Sequence, residues 1–162
     1  MMDVKTMTDY AEQFCSKNFN INLMIPIRIS SRMKNKLGAF VVKTKNRKII
    51  SEEIVISKSF VDNNSKAVIL DVLYHECVHY ALYKLGLPYK DQDQYFKDTL
   101  KKLGIRESRS YTYKGIEHIY FCPTCRYQFT KRMKGYEKRY ICRTCHSKFK
   151  YAGESSKKLG IV

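Results

Sequence analysis

The sequence predicts an α+β protein in two parts: a larger helix-and-strand domain over residues 1–110 and a small cysteine-bracketed β ribbon over 111–151, with a tail over 152–162. Three observations carry that prediction. A run from Lys66 to Leu85 is apolar, of helical length, and holds His75-Glu76-Cys77-Val78-His79. Before it, apolar residues alternate with polar ones in several short stretches between Ile21 and Ser57, the period of half-buried strands. After it, four of the six cysteines fall into two C-x₂-C pairs, Cys122/Cys125 and Cys142/Cys145.

The elements follow in order. Thr8 to Asn18 reads as a helix with Tyr10, Ala11, Phe14 and Cys15 on one face and Thr8 as its cap. Ile21, Leu23, Ile25, Ile27 and Ile29 alternate as a strand that buries one face, and Pro26 makes it edge-like. Gly38–Val42 is a second strand, Thr44–Arg47 its turn, Lys48–Ile50 the return of a hairpin, and Glu53–Ser57 a third strand. Together they predict a three-stranded sheet of antiparallel type, with Ile54–Ser57 as an edge open to an extended peptide. Asn63, Asn64 and Ser65 supply caps for the helix over Lys66–Leu85, which stops at Gly86. That helix is apolar nearly all round, so it is central and buried. A further helix runs from Gln92 to Leu103 and ends at Gly104, and 105–110 is a linker. Aromatic, strand-like stretches then bracket the cysteines, and Cys15 and Cys77 read as small core residues.

Composition narrows the function classes. With 44% hydrophobic and 28% charged residues the chain is globular rather than disordered. Its longest apolar candidate is broken by Asp71, His75, Glu76, His79 and Lys84, too interrupted to span a membrane. The N-terminus shows no basic segment followed by an apolar one, so a cytoplasmic protein is expected. The net charge is +16, with +9 of it in residues 111–162. Such an excess favours polyanions, mainly nucleic acid, because binding releases condensed counterions; the plainer reading is a basic, soluble surface.

Two imidazoles four residues apart on a helix stack on one face and can hold one Zn²⁺. Glu76, one residue after His75, is too close in sequence to ligate alongside both histidines, but it can act as the base that deprotonates a metal-activated water. The plain alternative, a pair of core histidines, buries two imidazoles and a carboxylate together to no purpose, which is costly. Cys122, Cys125, Cys142 and Cys145 have the spacing of a tetrahedral Cys₄ structural zinc site, and a module this small needs such a staple. Between the pairs, Lys131, Arg132, Lys134, Lys138 and Arg139 interleave with tyrosines on what reads as a hairpin tip, where cations hold phosphates and a ring stacks on a base.

This series of helix, short sheet, His75-Glu76-Cys77-Val78-His79 helix, further helix and Cys₄ ribbon resembles the SprT-like metalloprotease family, whose eukaryotic relative is the DNA-dependent protease Spartan. His79-Tyr80 and Asp93-Gln94-Tyr95-Phe96-Lys97 are similar to the bacterial members. The resemblance covers nearly the whole chain. It implies a zincin-like metallopeptidase fold, zinc-dependent peptide hydrolysis with Glu76 as general base, one catalytic and one structural zinc, and association with DNA. One departure stands out. The family's proteases carry a third histidine on the next segment, and Tyr89–Phe96 has none. By position Gln92 or Asp93 faces the metal, and a carboxylate is the better ligand, so Asp93 is expected as the third, then Asp91, with His118 as the remaining imidazole. Either aspartate also reads as a favourable charge at a helix N-terminus. Two other functions fit the motifs: a nucleic-acid-binding adaptor whose histidine helix is vestigial, and a zinc hydrolase acting on another bond.

Overall fold

The computed structural model describes residues 2–107 and 116–156 and divides the chain into two compact units, Met1–Thr112 and Tyr113–Val162. The expected linker residues 108–110, and Tyr111 and Tyr113, lie outside the described residues, as does 157–162 of the expected tail.

In the first unit, helix α1 spans Val4–Phe19 and buries Met7, Ala11 and Cys15, one residue per turn. Its cap is Asp3, whose carboxylate accepts from the Thr6 N–H at 2.8 Å. Thr8, the expected cap, lies inside the helix and donates its hydroxyl to the Val4 carbonyl. The following segment buries Leu23, Ile25 and Ile27 on the expected period of two, yet only β1, Ile27–Ser30, is a paired strand. Pro26 has no N–H for a ladder, and the Met24 N–H donates instead to the Tyr80 hydroxyl, 3.1 Å away.

Strands β2, Gly38–Lys45, and β3, Lys48–Ser57, form one long antiparallel hairpin that absorbs the hairpin return and the third strand into a single element. The sheet order is β1-β3-β2, and β1 runs parallel to β3. The antiparallel expectation is therefore corrected to a mixed sheet. The chain leaves β1 and crosses to the far side of β3 before turning back, so β1 and β3 point the same way. The correction extends to Ile54–Ser57: it is the central strand, paired on both sides, and the free edges are β1 and β2.

Helix α2, Lys58–Asn63, leads to α3, Lys66–Lys84, in which ten of nineteen residues are buried, His75 and Glu76 among them. Sheet and α1 pack against α3 through Ile54, Ile56, Val72, Leu73, Cys77 and Cys15. A second cluster joins Val78 and Leu82 to Phe96 and Leu100 of α4, Gln94–Leu103. Cys15 and Cys77 are core residues as expected.

In the second unit, β4 (Ile116–Phe121), β5 (Gln128–Lys131) and β6 (Lys150–Ser156) form an antiparallel sheet of order β5-β4-β6. Residues 152–156, expected to begin a patternless tail, belong to β6. Gly153, at φ 121°, sits where the register slips and allows the strand to bend. The segment 132–140 is not a hairpin tip: a short 3₁₀ turn, Tyr136–Lys138, stands there.

Candidate metal centres

Helix α3 brings His75 and His79 to the same face, and the loop before α4 brings Asp91 against them. Asp91 Oδ1 lies 3.3 Å from Nε2 of both histidines. One ligand atom from each of the three falls within 4.8 Å of the others. His79 Nδ1 faces the Tyr89 carbonyl, an acceptor, so this nitrogen carries the proton and Nε2 keeps its lone pair for a cation. Phe96 stacks on the His79 ring at 4.0 Å and meets the His75 ring edge-on at 5.2 Å, fixing both planes. His75 Nδ1 is buried and has no hydrogen-bond partner among the described residues. Burial holds the His79 pKa below the ordinary histidine range, which keeps the ring neutral and able to ligate. Two neutral imidazoles and a carboxylate, with one side open, form a donor set suited to a catalytic divalent cation.

Asp93 is not part of this group. It precedes the first residue of α4, and its Oδ2 accepts the Lys90 N–H at 2.9 Å, closing the turn that presents Asp91. The expected order of the two aspartates is thus reversed, and Gln92 lines the pocket beside His75 without joining the cluster. His118 sits on β4 with Nδ1 3.2 Å from the Tyr151 hydroxyl.

Glu76 is buried beneath the sheet, and its Oε2 accepts the Phe40 N–H at 2.8 Å. Burial raises its pKa to about 8, the Phe40 N–H opposes that, and the charge of Asp91 adds to it. Gly38 makes the approach possible. A Cβ there would stand 3.0 Å from Glu76 Cγ and 3.1 Å from both Ile56 Cδ1 and Val72 Cγ1. Gly38, the Phe40 N–H and the Tyr89 carbonyl escape sequence reading because each acts through backbone. The one available signal is a glycine opening a strand whose centre is aromatic and β-branched, Phe40-Val41-Val42.

The second cluster joins Cys122, Cys125, Cys142 and Cys145, whose sulfurs also lie within 4.8 Å of one another. The two knuckles match bond for bond. Cys122 N–H donates to Tyr127 O and Arg126 N–H to Cys122 O; Cys142 N–H donates to Ser147 O and His146 N–H to Cys142 O, all at 2.8–2.9 Å. Arg126 and His146, each just after the second cysteine, adopt positive φ of 56° and 59°. Cys122 and Cys145 sulfurs are 3.3 Å apart and those of Cys125 and Cys142 4.0 Å. A tetrahedral zinc with Zn–S of about 2.3 Å spaces its sulfurs roughly 3.8 Å apart, so the four thiols fit one ion.

Of the five basic residues expected to meet nucleic acid, Lys131, Lys134, Lys138 and Arg139 are exposed, and Lys131 also lies over the Phe129 and Tyr136 rings, 5.9 and 5.4 Å from their centres. Arg132 is half-buried. Tyr136 packs against Tyr120, Phe129 and Phe149, so it belongs to the ribbon's own core, whereas Tyr140 and Tyr127 are exposed.

Known proteins are similar to this chain over most of its length. The SprT-like family model matches residues 4–113. "Protein SprT-like" of Bacillus cereus is 24% identical over 140 residues, covering 81% of this chain and 84% of the relative. Proteins of the same name from Anoxybacillus flavithermus and Streptococcus equi subsp. zooepidemicus are 28% and 22% identical over 110 and 128 residues. Those alignments cover 64% and 78% of this chain, and 66% and 83% of the relatives. No helix among the described residues is long and apolar enough to cross a membrane.

Proposed function

The chain belongs to the SprT-like family, and from that premise we propose that it is a zinc-dependent metallopeptidase acting on proteins associated with nucleic acid. The observation that carries the reading is the meeting of His75, His79 and Asp91 beside the buried Glu76. A zinc ion held by the first three would supply Lewis-acid polarisation of the peptide carbonyl and acidification of the attacking water. Glu76 takes the proton from that water as its oxygen bonds to the carbonyl carbon. It returns the proton to the amide nitrogen as the C–N bond breaks. A cation nearby favours the ionised carboxylate, countering the burial that raises the Glu76 pKa in its absence.

The substrate would lie along β2, the edge strand next to the site. The Phe40 N–H points away from β3 to Glu76, so by alternation the Phe40 carbonyl and both backbone groups of Val42 also face outward. An extended peptide pairing with them would pass the cluster. The ribbon would hold a structural zinc through its four cysteines and present Lys134, Lys138 and Arg139 to phosphates.

The test is a metal count paired with cleavage. The purified chain should hold two zinc ions, and Glu76→Gln should keep both while losing hydrolysis of a DNA-bound protein. A single tightly held zinc, with no cleavage by the unaltered chain, would favour the nucleic-acid-binding adaptor. Cleavage that survives Glu76→Gln would refute the assigned mechanism.

A further inference from the structure

A cavity beside the metal cluster has no part in the mechanism above. It holds about 250 Å³, and His75 and Asp91 form one side of it. Phe96 and Leu100, four residues apart on α4 and 1% and 2% exposed, give it an apolar wall. Lys97, next to Phe96 in sequence, and Gln92, on the loop before α4, are exposed and add polar groups.

The chain beyond α4 closes the remaining wall. Gly104 takes φ 68° and turns the chain back, so that the Ile105 N–H donates to the Leu100 carbonyl at 3.0 Å. The Arg106 N–H then donates to Asp71 Oδ2 at 3.3 Å. Asp71 stands one helical turn before His75 on α3, so this bond holds Glu107 against the cavity.

Size decides what kind of occupant fits. Small-molecule sites measure roughly 300–1,000 Å³, so a cavity of about 250 Å³ suits a single side chain better than a cofactor. A peptide added to β2 directs alternate side chains toward the sheet face that α3 covers, the side on which His75 lies.

Charge decides which side chain. Asp91 is taken up by the cation in the reading above, and Glu107 has a partner of its own. Lys97 has no acidic partner among the described residues. The cavity therefore offers one uncommitted cation, the amide donors of Gln92 and an apolar wall for a methylene stem. A lysine or arginine side chain would meet Lys97 as a like charge. A carboxylate would accept from Lys97 and Gln92, the first of these a charge-assisted hydrogen bond.

We infer that this cavity is a specificity site for an acidic side chain, Asp or Glu, on the substrate residue next to the scissile bond, and that Lys97 selects it. The inference rests on the peptidase reading and deepens it.

The experiment maps cleavage of a peptide pool by the zinc-loaded full chain. Every peptide is amidated at its C-terminus, and Glu, Gln, Lys and Leu are varied in turn at each position. Mass spectrometry of the products reads which residues flank each cut. Peptides with Glu beside the cut should be cleaved at least about tenfold faster than their Gln counterparts, the worth of one charge-assisted hydrogen bond. Lys97→Gln should bring that ratio close to one, and Lys97→Glu should turn the preference toward Lys. Lys101→Gln, one turn further along α4 and outside the cavity lining, should keep the ratio of the unaltered chain. A damaged fold would lower all rates together and would not reverse a ratio. Equal cleavage of Glu and Gln peptides by the unaltered chain would overturn the inference, as would a Glu preference that survives Lys97→Gln. A carboxylate preference seen only in peptides with a free C-terminus would assign the cavity to the chain end and overturn it too. A chain that cleaves no peptide at all would refute the peptidase reading itself, a failure distinct from the others.

Discussion

Glu76 is the residue on which burial acts most strongly. A carboxyl that titrates near 8 in the folded, metal-free chain titrates near 4.3 when unfolded. The folded state therefore binds the extra proton between those values. Its contribution to stability is fully present below the unfolded pKa and is lost as pH rises through the folded one. The chelated protein should thus lose stability from about pH 4.5 to 8, and Glu76→Gln should flatten that dependence; denaturant midpoints across this range are the check. Gly38 belongs to the same scale. Gly38→Ala puts a methyl group into 3.0–3.1 Å contacts with Glu76, Ile56 and Val72. It should destabilise the domain by about 1–3 kcal/mol. It should also lower kcat, since the carboxylate is what must give way. A stability loss with kcat unchanged would show that Glu76 tolerates the shift.

Among elements, β2 has the most to reveal, because its two edges have separate duties. One edge pairs with β3, and the other holds Glu76 through Phe40 and is otherwise free. Val42→Pro removes an outward N–H without taking a donor from the β3 ladder, the setting in which an edge strand accepts proline. If substrate peptides add to this edge, KM should rise roughly two- to tenfold, the worth of one net hydrogen bond, while kcat holds. An unchanged KM would place the substrate elsewhere. The loop 85–93 shows why an element can resist reading. The helix spacing of His75 and His79 is local, so the sequence displays it. Asp91 reaches them only because the Asp93 side chain closes a turn on Lys90 and the Tyr89 carbonyl meets His79. The cue was that an aspartate directly before a helix tends to be engaged by nearby backbone N–H groups, leaving the next acid upstream free.

At the scale of the molecule, legibility follows the range of the contacts. The two knuckles, the buried helix and the ends at Gly86 and Gly104 could be read because each depends on neighbours in sequence. The parallel pairing of β1 with β3 and the extension of β6 over residues 152–156 could not, because their partners lie tens of residues away. The same division separates the two metal clusters and leads to the last prediction. The four cysteines enclose their site, and few buried residues, chiefly Tyr120, Cys122, Cys142 and Phe149, form the ribbon core around it. A metal held there would be coupled to the folding of the module. The other cluster has three ligands, and Asp91 is 59% exposed on a loop. A mild chelator should therefore remove one equivalent of zinc first, and cleavage should be lost with it while the ribbon stays folded. The second equivalent should leave slowly, together with β4–β6. Metal analysis during dialysis, read beside circular dichroism, checks the order. Unfolding of the ribbon before cleavage is lost would mean that the open cluster holds its ion more tightly than the thiolates do, and that the assignment of roles must be reversed.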